Sequence, residues 1–180
     1  MQVRLLVKIK TNANLMDDKF KQVDISYSYN FPVRDVFEAW INPAYLAQWF
    51  APHDCTIEFK KLDIREGGSF HSCVRTPLFG DCWCIGVYQE ISSNRKIVFT
   101  MINADKNGIP LNSKIETTPD WPAETIVTVT FSEANGKTTV NLKQTVSEPL
   151  AKKTGAYQGW IQMFERMQKL VEENRTHKPL

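Results

Sequence analysis

The feature of this 180-residue sequence that most constrains its fold is a series of short segments in which apolar and polar residues alternate. Alternation with a period of two is typical of half-buried strands. Most breaks between these segments are short and carry Gly, Asn, Ser or Pro, so they predict antiparallel neighbours, because a parallel crossover needs about a dozen residues or more. The predicted strands are Val23 to Tyr29, Cys55 to Ile64, Ser69 to Arg75, Cys82 to Ile91, Lys96 to Asn103, Glu124 to Phe131 and Lys137 to Val146.

Two short helices are predicted directly after the first strand. From Val33 to Trp40, apolar residues recur at i, i+3, i+4 and i+7, and Pro32 suits the first position of such a helix. Asn42-Pro43 then restarts the chain as a second helix, because Asn is a good N-cap residue, and Pro52 ends it.

The last long segment, Pro149 to Asn174, is predicted as a single helix with an apolar stripe. The stripe consists of Trp160, Met163, Phe164, Met167, Leu170 and Val171. The final strand has one apolar face, which must pack against this stripe. The order of elements therefore predicts an α+β fold in which a bent antiparallel sheet of six to seven strands wraps around the long C-terminal helix. Such an arrangement often encloses a ligand cavity.

Composition limits the class of protein. Hydrophobic residues make up 42% of the chain and charged residues 23%, which is ordinary for a globular domain. The net charge of +2 gives no reason to expect a nucleic-acid partner, and no apolar run approaches the ~20 residues of a membrane helix. We expect a cytoplasmic protein, monomeric or homodimeric, with an N-terminal extension at 1–20 (an edge strand, or an artefact of start-site choice), a domain at 21–176 and a tail at 177–180.

Several segments together resemble a known family. The resemblance lies in Phe31 to Trp40, Trp49 to Pro52, Gly67 to Phe70, Gly86 to Ile91, Ile97 to Thr100, Glu124 to Phe131 and Gly159-Trp160. In this order and spacing they resemble the SRPBCC (START-like) superfamily, and within it the domain similar to the C-terminal half of the activator of the heat-shock chaperone ATPase. The resemblance covers about residues 20 to 174. It implies a helix-grip fold with a hydrophobic tunnel, in a superfamily of lipid carriers, hormone receptors, polyketide cyclases and co-chaperones.

The candidate ligand-binding residues are aromatic, sulfur-containing or titratable side chains expected near this cavity. They are Trp40, Trp49, Phe50, His71, Cys84, Tyr88, Phe99, Met101, Trp121, Trp160, Phe164 and Met167. The same residues would equally suit a packed core. Hairpin pairing through Ser92 to Arg95 predicts Cys84 and Tyr88 on the inner face with Phe99 and Met101. It leaves Trp83, Ile85 and Val87 on the outer face, where residues 1 to 10 or a second subunit would have to cover them.

The segment from Ala104 to Ala123 is too long to be a simple hairpin connection. It contains Gly108 and three prolines, which prevent a regular element, yet Trp121 is too apolar for a freely solvated loop. We predict that this segment covers the cavity mouth with Trp121 as its anchor.

The sequence offers little support for metal binding or catalysis. Cys73, Cys82 and Cys84 do not have the C-x₂₋₄-C spacing of a zinc site, so reduced, metal-free thiols are expected; a metal site and a redox pair are the alternatives. His71 is the one side chain on a central strand suited to proton transfer near neutral pH. No catalytic residue and no cofactor is predicted.

Three functions remain open. The first is non-catalytic binding of a small hydrophobic molecule, lipid-like or polycyclic, in the cavity. The second is a co-chaperone-type interaction domain that modulates a heat-shock chaperone ATPase and leaves the cavity as packing. The third, cyclase- or dehydratase-like use of the cavity, ranks last because no acid–base pair is evident.

Overall fold

The structure, a computed structural model, describes residues 21–77, 80–111 and 120–176; the predicted extension at 1–20 and the tail at 177–180 lie outside these ranges. The elements in chain order are β1 (Gln22–Tyr29), α1 (Val33–Ile41), α2 (Pro43–Trp49), β2 (Thr56–Leu62), β3 (Ser69–Thr76), β4 (Gly80–Ser92), β5 (Lys96–Ala104), β6 (Thr125–Ala134), β7 (Lys137–Ser147), α3 (Glu148–Lys153) and α4 (Ala156–Thr176).

In the described part of the chain the seven strands form one sheet in the order β1-β7-β6-β5-β4-β3-β2. Every neighbouring pair is antiparallel, as the short connections predicted. The β6–β7 connection is the tightest. It consists of Asn135 and Gly136, both with positive φ (53° and 71°), which is the backbone that a two-residue hairpin turn requires.

Irregularities in strand pairing accompany the bending of the sheet. The register shifts between Gln22 and Val23 in β1, between Phe59 and Lys61 in β2, and between Tyr88 and Glu90 in β4. Such bulges bend a strand and increase its twist. The concave face carries the core, and we call the opposite, convex face the outer face.

The two short helices share one residue at their junction. Asn42 ends α1 and also caps α2, because its Oδ1 accepts a hydrogen bond of 3.0 Å from the Ala44 N–H. Pro32 lies at the N-cap of α1 with extended backbone, one position before the predicted place. The first N–H of α1, on Val33, donates to the Glu133 carboxylate at 2.7 Å, which ties this helix to the β6–β7 turn.

The C-terminal segment is two helices, where the sequence predicted one. Helix α3 ends at Lys153, and α4 starts at Ala156 after a break at Thr154 and Gly155. Gly155 has a φ of +81°, the left-handed conformation that commonly follows a helix C-terminus, so the chain turns there. The predicted apolar stripe lies on α4, and all of its members are buried except Met163, which is half-buried.

A buried polar chain connects α4 to the sheet. The Trp160 indole N–H donates to Gln144 Oε1 at 2.9 Å, and Gln144 Nε2 donates to Thr125 Oγ1 at 3.0 Å. The Thr125 hydroxyl lies 3.4 Å from the carbonyl oxygen of Met101. All three side chains are buried, so each hydrogen bond avoids an unpaired polar group in the core.

A second contact holds α4 against the end of α2. Arg166 Nη2 lies 2.6 Å from the Gln48 carbonyl oxygen, and Nη1 lies 2.7, 2.9 and 3.0 Å from those of Ala51, Pro52 and Cys55. The last carbonyls of a helix lack partners within the helix, and a guanidinium supplies several donors in a fixed plane. Arg166 therefore fixes α2 and the following turn relative to α4.

We expect Arg166→Met to lower the free energy of unfolding by about 2 kcal/mol, because it removes charge-assisted hydrogen bonds to several backbone carbonyls. Urea unfolding followed by circular dichroism would measure the change. Arg34→Met is the matched control: the Arg34 side chain is 78% exposed, so its loss should have little effect. Equal destabilisation by the two variants would contradict the role assigned to Arg166.

Candidate functional site

The concave face of the sheet and the two short helices enclose an aromatic cavity. Its lining residues are Trp40, Leu46, Phe50, Phe59, Phe70, Tyr88 and Phe99. Its volume is about 10 Å³, space for about one water molecule. The large ligand cavity that the fold allows is therefore closed here by side chains.

The walls of the cavity are fixed by contacts between aromatic rings. Trp40 on α1 packs edge-on against Trp49 and Phe50 of the α2 region, at centroid distances of 4.7 and 6.2 Å. Across the cavity, Phe99 lies 5.9 Å from Tyr88 and 6.1 Å from Phe70. Tilted and edge-to-face contacts at these distances are favourable arrangements for aromatic rings.

A glycine in β4 makes room for one of these rings. A Cβ at Gly86 would lie 2.5 Å from two atoms of the Phe70 ring and 2.0 Å from the Thr100 carbonyl oxygen. Any side chain at position 86 would therefore displace Phe70 or the β5 backbone. The missing side chain lets Phe70 fill the floor of the cavity.

The cavity is uncharged, and two of its lining side chains are polar. Tyr88 is buried, and burial raises the pKa of its hydroxyl well above the usual value, so this group stays protonated across the physiological pH range. The other polar group is the Trp40 indole N–H. A neutral hydroxyl and an N–H suit a ligand that carries hydrogen-bond acceptors.

Trp40 differs from the other two buried tryptophans in its hydrogen bonding. The Trp49 N–H donates to the Ala39 carbonyl at 2.8 Å, and the Trp160 N–H donates to Gln144. The Trp40 Nε1 atom is buried and has no hydrogen-bond partner among the described residues. It is the one fully buried side-chain N or O atom without a partner in the described part of the chain. A buried donor without a partner costs about 1–3 kcal/mol.

Eight of the twelve predicted ligand-binding residues are buried on the concave side. Trp40, Phe50, Tyr88 and Phe99 line the cavity itself. The others are not among its lining residues and pack as core around it; they are Trp49, Trp160, Phe164 and Met167.

Three further predicted residues, Cys84, Met101 and Trp121, are half-buried and pack against the margin of the core. Burial of the Cys84 thiol raises its pKa to about 12. Cys84 and Met101 lie on the inner side of β4 and β5, as the hairpin pairing predicted, because Cys84 pairs with Asn103 and Tyr88 with Phe99.

The structure places His71 on the other side of the sheet. It pairs with Ile85, and its ring lies 5.1 Å from the Trp83 ring on the outer face, where the sequence predicted Trp83, Ile85 and Val87. Parity explains this placement: Phe70 points into the cavity, so its neighbour His71 points away. His71 is therefore not part of the aromatic cavity.

The start of the long connection, residues 105–110, lies on the outer face and does not cover the cavity. Ala104 pairs with Pro110, and the Leu111 N–H donates to the Asn103 carbonyl, so the chain folds back along β5. A Cβ at Gly108 would lie 3.6 Å from the His71 ring. Residues 112–119 of the predicted lid lie outside the described residues.

Sequence reasoning missed three lining residues, namely Leu46, Phe59 and Phe70. Leu46 lies on α2, one turn before the predicted residues Trp49 and Phe50. Phe59 and Phe70 stand at apolar positions of predicted strands, but alternation alone does not show which strand positions face a cavity. The pairing of Phe70 with Gly86 is the signal that could have identified it, because a glycine in a strand often marks a close approach by another group.

Comparisons with known proteins agree with this fold. The model of the family described as Activator of Hsp90 ATPase homolog 1-like protein matches residues 30–172. No curated protein matches the chain. No helix in the described ranges is long and apolar enough to cross a membrane, and no group of three or more His, Cys, Asp or Glu side chains there is placed to hold a metal ion.

Solved structures share the fold at low sequence identity. A protein from Arthrobacter aurescens superposes with a TM-score of 0.74 at 18% identity, over 87% of this chain and 88% of that one. A protein from Chromobacterium violaceum gives 0.69 at 20% identity, over 84% and 97%. The AHSA1 protein from Silicibacter pomeroyi gives 0.66 at 15% identity, over 84% and 99%. These comparisons support a helix-grip architecture.

We expect Phe164→Ala to lower the free energy of unfolding by about 3–5 kcal/mol, because Phe164 is fully buried core and its removal leaves a cavity. Phe31→Ala is the matched control. Because the Phe31 ring is only half-buried, its removal should lower the free energy of unfolding by clearly less. Both values follow from urea unfolding. A loss below about 1 kcal/mol at Phe164 would show that this ring borders open space rather than packed core.

We expect Cys84 to resist alkylation in the native protein. The thiolate is the form that reacts, and the pKa of the Cys84 thiol is about 12. At pH 8, therefore, only about one Cys84 thiol in 10⁴ is ionised. Cys82, whose side chain is exposed, should react first. Iodoacetamide labelling at pH 8 followed by peptide mass spectrometry tests this, with protein unfolded in guanidinium as control. Equal native labelling of the two cysteines would contradict it.

Proposed function

This chain belongs to the Activator of Hsp90 ATPase homolog 1-like family, and on that premise we propose that it binds a small, neutral, largely aromatic molecule with a hydrogen-bond acceptor. The proposed site is the aromatic cavity between the short helices and the concave face of the sheet. The observation that carries the proposal is the buried Trp40 N–H, which has no partner among the described residues. A ligand carbonyl or ether oxygen would satisfy it and recover the cost of an unpaired donor.

The chemistry of the lining defines the ligand class. Six of the seven lining side chains are aromatic and none is charged, so a carboxylate or an ammonium would lose its hydration without gaining a partner. Flat rings can stack on or pack edge-on against these walls. The Tyr88 hydroxyl, held protonated by burial, supplies a second polar contact.

The size of the cavity limits the ligand and requires the site to open. About 10 Å³ does not hold a lipid-like or polycyclic molecule, so the ligand proposed here is smaller than the sequence suggested. Phe59 is the half-buried member of the lining set, while the other six are buried. It lies on edge strand β2, beside a bulge, where movement disturbs the fewest neighbours. Displacement of Phe59 is therefore the proposed route of entry.

A pair of matched probes tests the role of the Trp40 N–H. Acetophenone and 2-phenylpropene have nearly the same shape, but only acetophenone carries an acceptor oxygen. We expect the wild-type protein to bind acetophenone about five- to tenfold more tightly, the value of one hydrogen bond to a buried donor. In Trp40→Phe this preference should disappear, while 2-phenylpropene binding changes little. Titration followed by ¹H–¹⁵N NMR measures both affinities.

Trp49→Phe is the matched control, because its N–H already has the Ala39 carbonyl as partner. This variant should keep the preference for acetophenone and lose more stability than Trp40→Phe, whose lost packing is offset by removal of an unpaired donor. If neither probe binds the wild type at millimolar concentration, or if Trp40→Phe keeps the preference, the proposal is wrong.

A co-chaperone-type role is the second candidate. Three exposed large apolar side chains, Ile109, Leu111 and Ile126, favour it, since exposed apolar surface can mark a protein contact. The test is the ATPase rate of a purified heat-shock chaperone with and without this protein. Stimulation that is lost in Ile126→Asp and kept in Trp40→Phe would favour this role over ligand binding in the cavity.

A further inference from the structure

A groove on the outer face of the sheet is separate from the aromatic cavity. It has a volume of about 250 Å³. Its lining residues are Lys61, Ser69, Phe70, His71, Ile85, Gly86, Val87, Thr100, Ile102 and Gly108. Because successive strand residues point to opposite faces, the side chains of Ile85 and Val87 on β4 and of Ile102 on β5 lie in this groove and not in the cavity.

The floor of the groove is apolar. Ile85 pairs directly with Ile102, and Val87 is 41% exposed, an unusual degree for a large apolar side chain on a central strand. The Thr100 hydroxyl accepts a hydrogen bond of 3.1 Å from the Val87 N–H, so its polar atom is already engaged. The floor therefore offers mainly apolar contact to a bound molecule.

One wall of the groove is a rigid turn. The Asp105 carboxylate accepts hydrogen bonds from the backbone N–H groups of Asn107 and Ile109, at 2.8 and 2.9 Å. The turn is attached to the sheet from both sides: Lys60 Nζ donates to the Lys106 carbonyl at 2.7 Å, and His71 Nε2 lies 3.3 Å from the Asp105 carbonyl oxygen. The groove is thus preformed.

One end of the groove is polar and basic. Lys61 pairs across the strands with His71, and Ser69 lies two residues before His71 on the same face. Neither the Lys61 ammonium nor the Ser69 hydroxyl has a hydrogen-bond partner in the described part of the chain.

The carboxylates of the neighbouring elements are engaged elsewhere, so none of them neutralises Lys61. The Asp105 carboxylate is held by backbone N–H groups, which lower its pKa. Four further acidic groups form ion pairs at 2.7–2.9 Å: Asp63 with Arg65, Glu58 and Asp81 with Arg75, and Glu90 with Lys96. Glu66 accepts a hydrogen bond from the Ile91 N–H.

We propose that this groove binds a small amphiphilic monocarboxylate, with its carboxylate at Lys61 and Ser69 and its hydrocarbon part over Ile85, Val87 and Ile102. An unpaired cation beside a preformed apolar floor is complementary to such a molecule in both charge and polarity. The carboxylate keeps most of its hydration at the open end, so only the hydrocarbon part must leave water. The proposal does not depend on the ligand of the aromatic cavity, which is neutral.

Hexanoate and 1-hexanol are suitable probes for the full chain at low ionic strength. We expect hexanoate to shift the amide resonances of Ser69, Ile85 and Val87 and to bind about fivefold more tightly than hexanol, because only hexanoate pairs with Lys61. In Lys61→Gln the two probes should bind equally. Lys143→Gln removes the same charge from the same face five strands away and should leave the preference intact. Trp40→Phe should also leave it intact, which separates this site from the cavity.

Three results would overturn the proposal. The first is the absence of hexanoate binding to the full chain at millimolar concentration. The second is an unchanged preference in Lys61→Gln. The third is binding that appears only after residues 1–15 are removed, because the chain's own N-terminal segment would then be the occupant of the groove.

A Val87→Glu variant gives a further test: its carboxylate should abolish hexanoate binding without unfolding the protein, because position 87 is exposed. Retained affinity would contradict the assignment of Val87 to the floor of the groove.

Discussion

The hydrogen bond from the Trp160 indole to Gln144 sets the position on which the other contacts of α4 depend. It connects the second turn of the helix to a buried side chain on β7, and Gln144 in turn requires Thr125 as its acceptor. A helix packed only through apolar contacts can slide or rotate at small cost, whereas a buried donor and acceptor match in one register. With this register set, Arg166 reaches the end of α2.

The same positioning explains why the cavity is closed. Arg166 holds the α2 end over the sheet, and the shared residue Asn42 couples α2 to α1, so Trp40 and Phe50 are brought down onto the rings of the central strands. Side chains from the two short helices and from strands β2 to β5 then fill the space between the helices and the sheet. The interior is a packed aromatic cluster that contains, among the described residues, one buried donor without a partner.

Much of the architecture was predictable from local patterns, because alternation and turn residues determine strands and their antiparallel order without knowledge of distant contacts. The inner placement of Tyr88 and Phe99 followed from a single short hairpin. The break at Gly155 was missed because apolar periodicity continues across it. The position of His71 depends on which alternate residues of β3 face the core, and the sequence pattern did not determine this. The volume of the cavity was not predictable, since it depends on how seven side chains from six elements meet.

Strand β2 is an edge of the sheet, and it carries Phe59, whose displacement is the proposed route into the aromatic cavity. An exposed edge offers free backbone groups to any other chain, so an edge that moves is a hazard for a protein at high concentration. Here the bulge between Phe59 and Lys61 interrupts the regular ladder, and Lys60 and Lys61 place two positive charges beside it. These features make β2 a poor template for strand addition. The proposed opening of this edge for a small molecule would therefore not recruit a neighbouring copy into a growing sheet.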